Sequence, residues 1–287
     1  MKASASLSDC EFIDVHYHAG PDAFIRRHNV METGRQYAKV NGWVVLKNHL
    51  GCTAAQAWEA RQAGFPVSGS VVLNEIAGGI DYRVVQRSLI HHGESEARLL
   101  VHLPTVTGRN HQSKLKRQTA HSILKSHPIQ PLTVSREGKL TKQTIDILRM
   151  SRDYPIVVST GHANAEEIHM LIEAAVRYGV PKLMLNQPAN PLTGFDAEAL
   201  LKLSQAPMVY TEQTALTYLL GYQVWEDFLM VLKSVPRALY SSDLGQPTQP
   251  DIEQWLGQSE KWFELMNLSS NRIDFVRREC CYQMLKE

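Results

Sequence analysis

The sequence has little cysteine, and what it has suggests neither a metal ribbon nor a disulfide framework. Four cysteines occur in 287 residues. The spacing of Cys10, Cys52, Cys280 and Cys281 matches no zinc ribbon and no redox pair. A bridge between the neighbouring Cys280 and Cys281 would be strained. We therefore expect four reduced thiols in a cytoplasmic protein.

Net charge and long apolar runs are also nearly absent. The formal charge is +1, whereas a nucleic-acid binder needs a basic face that neutralises phosphates. No run approaches the roughly 18 apolar residues of a membrane span, and the polar start MKASASLSDCEF lacks the apolar centre of a signal peptide. We expect an intracellular, soluble protein that binds a small molecule rather than nucleic acid or membrane. A homo-oligomer is compatible with the sequence.

Short runs rich in Val, Ile and Leu alternate with helical stretches along the chain. Eight β-like runs cover residues 12–18, 42–49, 67–74, 97–104, 155–162, 182–188, 207–213 and 237–243. Helices are predicted at 53–63 with Thr53 as cap, 165–178 ending before Gly179, 196–204, 216–233, 251–266 and 271–286. Nearly continuous apolar runs are typical of a parallel sheet covered by helices. Eight such units predict an α/β fold, a (β/α)8 TIM barrel.

The rival architecture is an open doubly wound sheet, which usually carries a Gly-rich turn after its first strand. No GxGxxG or GxxxxGK[ST] motif occurs. We therefore predict one domain over residues 1–287, with C-terminal helices at 251–287 and an insertion at 105–141 after the fourth strand. That insertion contains the basic stretch RNHQSKLKRQTAH and a hairpin-like segment, PLTVSREGKL. It is interpreted either as a lid or anion-binding wall, or as a solvated surface insertion.

Polar residues are concentrated at the ends of the predicted strands, where barrel enzymes carry their active sites. Residues two apart in a strand share a face, so Asp14, His16 and His18 are expected to point the same way. Two imidazoles spaced in this way can hold one divalent ion or can simply be hydrogen-bonded. The other strand ends supply Lys47, His49, His102, His162 and Asp243. Burying so many ionisable groups is costly unless they pair or bind metal.

These motifs resemble those of the amidohydrolase superfamily. DVHYH resembles the HxH that ends its first strand, the TGH of His162 its histidine on strand five, and the YSSD of Asp243 its aspartate on strand eight. The runs DVHYHAGPD, VVLKNH, VSTGHAN and LYSSDLGQP together resemble a less studied branch of predicted metal-dependent hydrolases. The resemblance implies a metal held by His16, His18, His162 and Asp243.

Two departures from the superfamily pattern favour one ion over two. Gln187 stands where a histidine is usual at the end of strand six, and strand four offers His102 in place of a carboxylated lysine or glutamate. Lys47, on strand two, is interpreted as a lysine that contacts substrate, although a carbamate bridge or a base is an alternative.

Five residues are candidates for substrate binding, and His102 and Gln187, at the ends of strands four and six, are two of them. Glu212 either orients a ligand or forms a strand-end salt bridge. Asn74 either binds substrate or forms a turn. Arg26 either recognises a carboxylate, which Arg matches bidentately, or lies in an exposed basic loop.

The leading hypothesis is hydrolysis of an amide, lactone or cyclic imide by metal-activated water. Asp243 would move the proton, while His49 and Lys47 would stabilise the oxyanion or a substrate carboxylate. Zinc is the default metal, with manganese, iron or nickel as alternatives. Two other hypotheses remain: a metal-dependent non-oxidative decarboxylase, and a non-catalytic barrel that binds a metal or metabolite.

Overall fold

A computed structural model describes residues 6–109 and 114–286, and these form an α/β fold built on parallel strands. The strands are β1 (Phe12–His18), β2 (Gly42–Lys47), β3 (Val67–Ser68), β4 (Ser70–Val72), β5 (Leu99–His102), β6 (Ser135–Arg136), β7 (Lys139–Leu140), β8 (Ile156–Ser159), β9 (Leu183–Leu185), β10 (Val209–Thr214) and β11 (Ala238–Ser241). Each of the eight predicted β-like runs contains an observed strand. The predicted α/β class is therefore confirmed.

Helices connect successive parallel strands and cover them. They are α1 (Val30–Lys39), α2 (Ala54–Gln62), α3 (Tyr82–His92), α4 (Ile123–Ser126), α5 (Lys142–Met150), α6 (Ala165–Tyr178), α7 (Ala197–Leu203), α8 (Ala215–Leu219), α9 (Trp225–Ser234), α10 (Ile252–Leu265), α11 (Ser270–Asp274) and α12 (Cys280–Leu285). Helix α6 has the predicted bounds, because Asn164 and Glu167 form a capping box at its start and Gly179, in the left-handed region, ends it.

The parallel strands lie in two sheets, ordered β1-β2-β3 and β4-β5-β8-β9-β10-β11. Gly69 alone separates β3 from β4, and a Cβ there would come within 2.6 Å of the Ala54 Cα. At the other side, β1 lies against the segment that follows β11. Tyr17 pairs with Leu244, and the Asp243 amide donates to the His16 carbonyl at 2.8 Å. The first and last parallel strands are thus neighbours.

Alternate residues of the strands pack into two separate cores. In β2, Val44 and Leu46 belong to the core shared with the helices, whereas Trp43 and Val45 belong to an inner core enclosed by the strands. Helix α12 reaches this inner core, with Met284 among its members. Full burial of one such side chain contributes about 1.5–3 kcal/mol.

Two local predictions are wrong, and a third, the helix at 271–286, is confirmed with a local change. The helix predicted at 216–233 is divided into α8 and α9, because Gly221 adopts a φ of +63°. The last predicted helix contains a π-helical turn, Phe275–Glu279, between α11 and α12. Thr53 precedes α2 but makes no side-chain cap; its hydroxyl instead donates to the Leu46 carbonyl at 3.1 Å.

Other predictions are confirmed. The hairpin-like segment forms the antiparallel pair β6-β7, and all four cysteines are free. Residues 110–113 of the basic stretch lie outside the described residues. Within the described part of the chain, no helix combines the length and apolarity that a membrane crossing requires.

Candidate metal centre

A bulge in β1 determines which of its side chains enter the site. Asp14 lies opposite Val44 and Tyr17 opposite Leu46, so β1 has one residue more than β2 over this stretch. The extra residue changes the face to which the following side chains point. Asp14 accepts a 2.5 Å hydrogen bond from the Tyr37 hydroxyl on α1. The prediction that Asp14 shares a face with His16 and His18 is therefore wrong.

The two histidines and Asp243 form a compact group of metal-ligand atoms. Asp243 Oδ1 lies 3.1 Å from His16 Nε2 and 3.3 Å from His18 Nε2. The potential ligand atoms of all three residues lie within 4.8 Å of one another. Two imidazole nitrogens and one carboxylate oxygen form the type of donor set that binds zinc and similar divalent ions.

Glu212 fixes the orientation of the His16 ring. Its carboxylate lies 2.9 Å from His16 Nδ1 and also accepts hydrogen bonds from the Ser241 hydroxyl at 2.8 Å and the Gln187 amide at 3.0 Å. Because a carboxylate accepts, Nδ1 carries a proton, and when the ring is neutral His16 Nε2 presents a lone pair to Asp243. Metal-ligating histidines usually make such a bond to a carboxylate from their other nitrogen.

The electrostatics of this group favour a positive charge among its members. His16 Nε2 is buried without a hydrogen-bond partner in the described residues. Although burial opposes the change, the charges of Asp243 and Glu212 raise the pKa of His16. Burial, followed by the charge of Arg26, lowers the pKa of His18 to about 3, so its imidazole is neutral. One cation between the three residues would satisfy both lone pairs and the carboxylate, so the residues fit a metal ion.

Asp243 and Gln187 are held in strained conformations beside each other. Their φ angles are +54° and +46°, in the left-handed region that non-glycine residues seldom adopt. The Gln187 side-chain amide donates to Asp243 Oδ2. Although burial opposes it, the neighbouring His16 and His18 imidazoles hold the pKa of Asp243 well below its usual range. Strain of this kind clusters at functional sites.

His162 lies in the same pocket but outside the ligand group. Its preceding residue, Gly161, has a φ of +57°, and a Cβ there would meet the Leu103 carbonyl oxygen at 2.1 Å. This turn brings the His162 side chain to the pocket wall. Burial, followed by the charge of Lys47, keeps the pKa of His162 well below its ordinary value. Of the four predicted ligands, the structure therefore groups three and places the fourth nearby.

Lys47 lines the pocket, whereas His102 is buried behind the pocket wall. Lys47 Nζ lines the pocket and donates to Asn186 Oδ1 at 2.7 Å, and burial lowers its pKa to about 8. His102 is fully buried, with Nδ1 2.8 Å from the Ser159 hydroxyl and its ring centroid 6.2 Å from that of His16. His102 and Glu212, both predicted to bind substrate, lie behind the metal ligands rather than in the pocket wall. Gln187 does line the pocket.

Asp22, which the sequence analysis did not single out, organises a second polar group. It lies 3.1 Å from His49 Nδ1 and accepts the His49 amide at 2.8 Å. Arg26 Nε also donates to Asp22 at 2.8 Å, and the Arg26 side chain is only 1% exposed. Arg26 thus pairs with Asp22 rather than facing the pocket or forming an exposed basic loop. Asp22 could have been found from the sequence, because it follows the HxHxG run by two residues.

The atoms of His18, Asp22 and His49 are also close enough to share a metal. The Arg26 guanidinium already neutralises Asp22 there. A second divalent ion would face this fixed positive charge, so the arrangement favours one ion, bound at Asp243.

Asn74 forms a turn rather than lining the pocket. Its side-chain oxygen accepts from the amides of Thr105 at 2.8 Å and Val106 at 3.0 Å, while its Nδ2 donates to the His49 carbonyl at 2.9 Å. These bonds hold the start of the insertion against the end of β2. Of the two interpretations offered by the sequence, this geometry matches the turn.

The side chains of His16, His18 and Asp243 open into a cavity of about 350 Å³ that the insertion helps to enclose. The insertion contributes Leu115, Arg117, Thr119, Leu124, Pro128 and Ile129 to its wall. Thr119 pairs with Phe24, and Lys114 Nζ donates to the Leu220 carbonyl at 2.7 Å. The insertion is therefore part of the pocket rather than a surface excursion, and it brings residues that the sequence did not identify individually.

A family model, described as "Family of unknown function (DUF6282)", matches residues 11–212. The chain belongs to this family. The matched region of this DUF6282 chain includes His16, His18 and Glu212 but ends before Asp243. No curated protein matches the chain.

Two solved structures of amidohydrolase type are distant neighbours. An N-acetyl-D-glucosamine-6-phosphate deacetylase from Mycobacterium smegmatis is 10% identical with a TM-score of 0.43, over 96% of this chain and 73% of the other. Amidohydrolase 2 from Bifidobacterium longum subsp. infantis is 13% identical with a TM-score of 0.42, over 95% and 98% of the two chains. Likenesses this distant assign neither a substrate nor a reaction.

Proposed function

We propose that this DUF6282 member is a metal-dependent hydrolase on a closed (β/α)8 barrel, with one divalent ion held by His16, His18 and Asp243. The observation that carries the proposal is the pairing of two buried lone pairs. Glu212 fixes the proton of His16 on Nδ1, which leaves Nε2 facing Asp243 Oδ1 at 3.1 Å. Asp243 Oδ1 and the two imidazole lone pairs repel one another unless a cation, either a metal ion or a second proton on His16, lies among them.

The residues around this group have the chemistry that amide, lactone or cyclic imide hydrolysis requires. When bound, a divalent ion supplies the Lewis acidity that makes water acidic and a carbonyl electrophilic. Asp243, ionised because of the neighbouring imidazoles, takes the proton from the attacking water on a carboxylate oxygen and passes it to the leaving group. Lys47 faces the same cavity and stabilises the developing oxyanion.

His49 and His162 complete the polar side of the pocket. Asp22 holds His49 through Nδ1 at 3.1 Å, so the neutral ring presents an acceptor nitrogen, Nε2, to a substrate hydroxyl or amide. We propose that His162 joins the ion's ligands by a small side-chain movement, because it already lines the cavity. Zinc is the proposed metal, since the donor set of imidazoles and one carboxylate suits it.

Elemental analysis of protein purified without chelator or nickel resin tests the metal site. We expect about one ion per chain in the wild type and loss of the ion in His16→Ala and Asp243→Asn. His91→Ala, which changes an exposed histidine of α3, is the matched control and should retain the metal. Circular dichroism checks that all variants fold. A wild type that takes up neither zinc nor manganese after reconstitution would contradict the proposal.

Hydrolysis is tested separately with a panel of amides, lactones and cyclic imides. We expect turnover by the metal-loaded wild type and by His91→Ala, and a loss of at least about 10³-fold in His16→Ala, because the metal supplies most of the activation. Metal binding without turnover of any compound would favour the non-catalytic alternative.

One observation favours a second reaction, non-oxidative decarboxylation. Gln187 stands at the end of β9 and occupies Asp243 Oδ2 with its amide, which leaves that oxygen less available to accept a proton from water. Release of carbon dioxide from an aromatic or β-keto acid, with no hydrolysis of the panel, would favour this alternative.

A further inference from the structure

The pocket beside the candidate metal centre combines an apolar wall with one basic side chain that forms no ion pair within the described residues. The apolar part includes Phe24, Leu115, Leu124, Ile129, Leu216 and Leu220. Among the described residues lining the cavity, Asp243 is the one acidic side chain, and Lys47 and Arg117 are the lysine and arginine. A ligand that fills this cavity therefore meets a mainly apolar surface and two positive charges.

Lys47 belongs to the metal side of the pocket. It is 3% exposed, donates to Asn186 at 2.7 Å and is attracted by the charges of Glu212 and Asp243. These partners hold its ammonium group at the floor, where the reaction is proposed to occur. Lys47 is consequently poorly placed to recognise a group at the other end of a substrate.

Arg117 belongs to the part of the cavity wall that the insertion supplies. Its Cζ lies 5.0 Å from the ring centroid of Phe24, and that ring contacts His49 edge-on at 5.3 Å. The guanidinium therefore lies beside the Phe24 ring, and its charge still acts on Lys47, His49 and His162 across the cavity. Across residues 6–109 and 114–286, no hydrogen bond or ion pair joins Arg117 to a carboxylate, although the charges of Asp243 and Asp22 act on it, and the residue lines the cavity.

The chain around Arg117 is held in place while its own side chain is left available. The Gln118 carbonyl accepts from the Ile25 amide at 3.0 Å, and the Ala120 amide donates to the Ala23 carbonyl at 2.9 Å. Two other cations of the insertion are engaged elsewhere. Arg109 pairs with Glu167 at 2.7 Å, and Lys114 donates to the Leu220 carbonyl.

We propose that Arg117 is the recognition residue for a substrate carboxylate, and that the substrate is an organic acid with an apolar body between that carboxylate and the bond that is cleaved. This inference rests on the proposed hydrolase function. Arg binds a carboxylate through two parallel hydrogen bonds, and the apolar wall buries the substrate body. A phosphate carries a charge nearer −2 and requires more donors than this single guanidinium.

Calorimetric titration of chelator-treated protein with 4-phenylbutyrate tests the carboxylate site without metal or turnover. We expect the wild type to bind this acid and Arg117→Gln to bind it about tenfold more weakly, because a charged hydrogen-bonding partner is lost. Arg117→Lys should recover part of the affinity, since it keeps the charge but not the bidentate geometry. Lys116→Gln, an exposed neighbour outside the pocket wall, should bind like the wild type.

Neutral 4-phenylbutanol and the phosphate monoester of 2-phenylethanol complete the design. The alcohol should bind wild type and Arg117→Gln equally. Equal binding of 4-phenylbutyrate by the wild type and Arg117→Gln would overturn the proposal, as would tighter Arg117-dependent binding of the phosphate ester.

The same measurement separates the two proposals. Arg117-dependent binding in a protein that never holds a metal would support the carboxylate site and contradict the hydrolase. Metal-dependent hydrolysis unaffected by Arg117→Gln, for acidic and neutral substrates alike, would support the hydrolase and contradict the carboxylate site.

Discussion

The two ends of the strands differ in chemistry although the same inward face forms both. In six of the strands, an inner-core residue is followed two positions later by a buried polar one. The pairs are Val45 and Lys47, Leu100 and His102, Val157 and Ser159, Met184 and Asn186, Tyr210 and Glu212, and Leu239 and Ser241. Two residues of strand span only about 6.6 Å. Along each of these strands, an apolar layer that packs in the inner core is thus followed directly by a polar layer.

The difference extends to how completely buried groups are satisfied. The apolar layer packs against Cys281 and Met284 of α12. In the polar layer, buried nitrogens of His16, His102 and Asn186 have no hydrogen-bond partner in the described residues. Unsatisfied buried polar atoms cost free energy of folding. We therefore expect the polar layer to contribute less to the stability of the fold than the apolar layer does.

Removing volume from the apolar layer should give the largest effect on folding. We expect Leu100→Ala to lower the free energy of unfolding by about 2–5 kcal/mol, because a fully buried leucine leaves a cavity. Urea denaturation of metal-free protein measures this change. Leu265→Ala, at a site that is 75% exposed, should change it by less than about 0.5 kcal/mol. The metal content of folded Leu100→Ala should equal that of the wild type, and metal loss would contradict the separation of the two layers.

The opposite result is expected in the polar layer. Glu212→Gln should weaken metal binding by about 10–100-fold, because the carboxylate no longer supports the His16 ring. Competition with a chromogenic chelator measures the affinity, and urea denaturation should show a much smaller change than in Leu100→Ala. Glu264→Gln, on the exposed face of α10, is the charge-matched control. Unchanged affinity in Glu212→Gln would mean that Glu212 does not orient a metal ligand.

The strand pattern explains how far the sequence could lead. Runs rich in Val, Ile and Leu predicted the eight strand positions, and the HxH and YSSD motifs pointed to His16, His18 and Asp243, because these signals lie in neighbouring residues. The orientation of Asp14 could not be read in this way, since a one-residue bulge leaves no local signature. The pairing of Arg26 with Asp22 and the arrival of Arg117 in the pocket depend on how loops fold back, which periodicity does not encode.

A buried histidine beside the apolar layer allows a further test of the difference between the two layers, because it lies outside the candidate metal centre. His92 Nε2 lies 2.9 Å from the Ala97 carbonyl, and burial lowers its pKa from 6.5 to about 4. His92 is therefore protonated below about pH 6.5 in the unfolded chain, but only below about pH 4 in the folded protein. The stability associated with neutral His92 is complete above pH 6.5 and is lost as the pH falls toward 4.

We expect the metal-free wild type to lose about 2 kcal/mol more than His92→Gln between pH 7.5 and pH 5, from this single group. Glutamine keeps a donor for the Ala97 carbonyl but does not titrate. The difference between the two urea denaturation series cancels the histidines of the polar layer, which both proteins share. If the free energies of unfolding of the two proteins changed equally with pH, His92 would be no more costly to protonate than an exposed histidine. The acid sensitivity of the fold would then arise at the polar end alone.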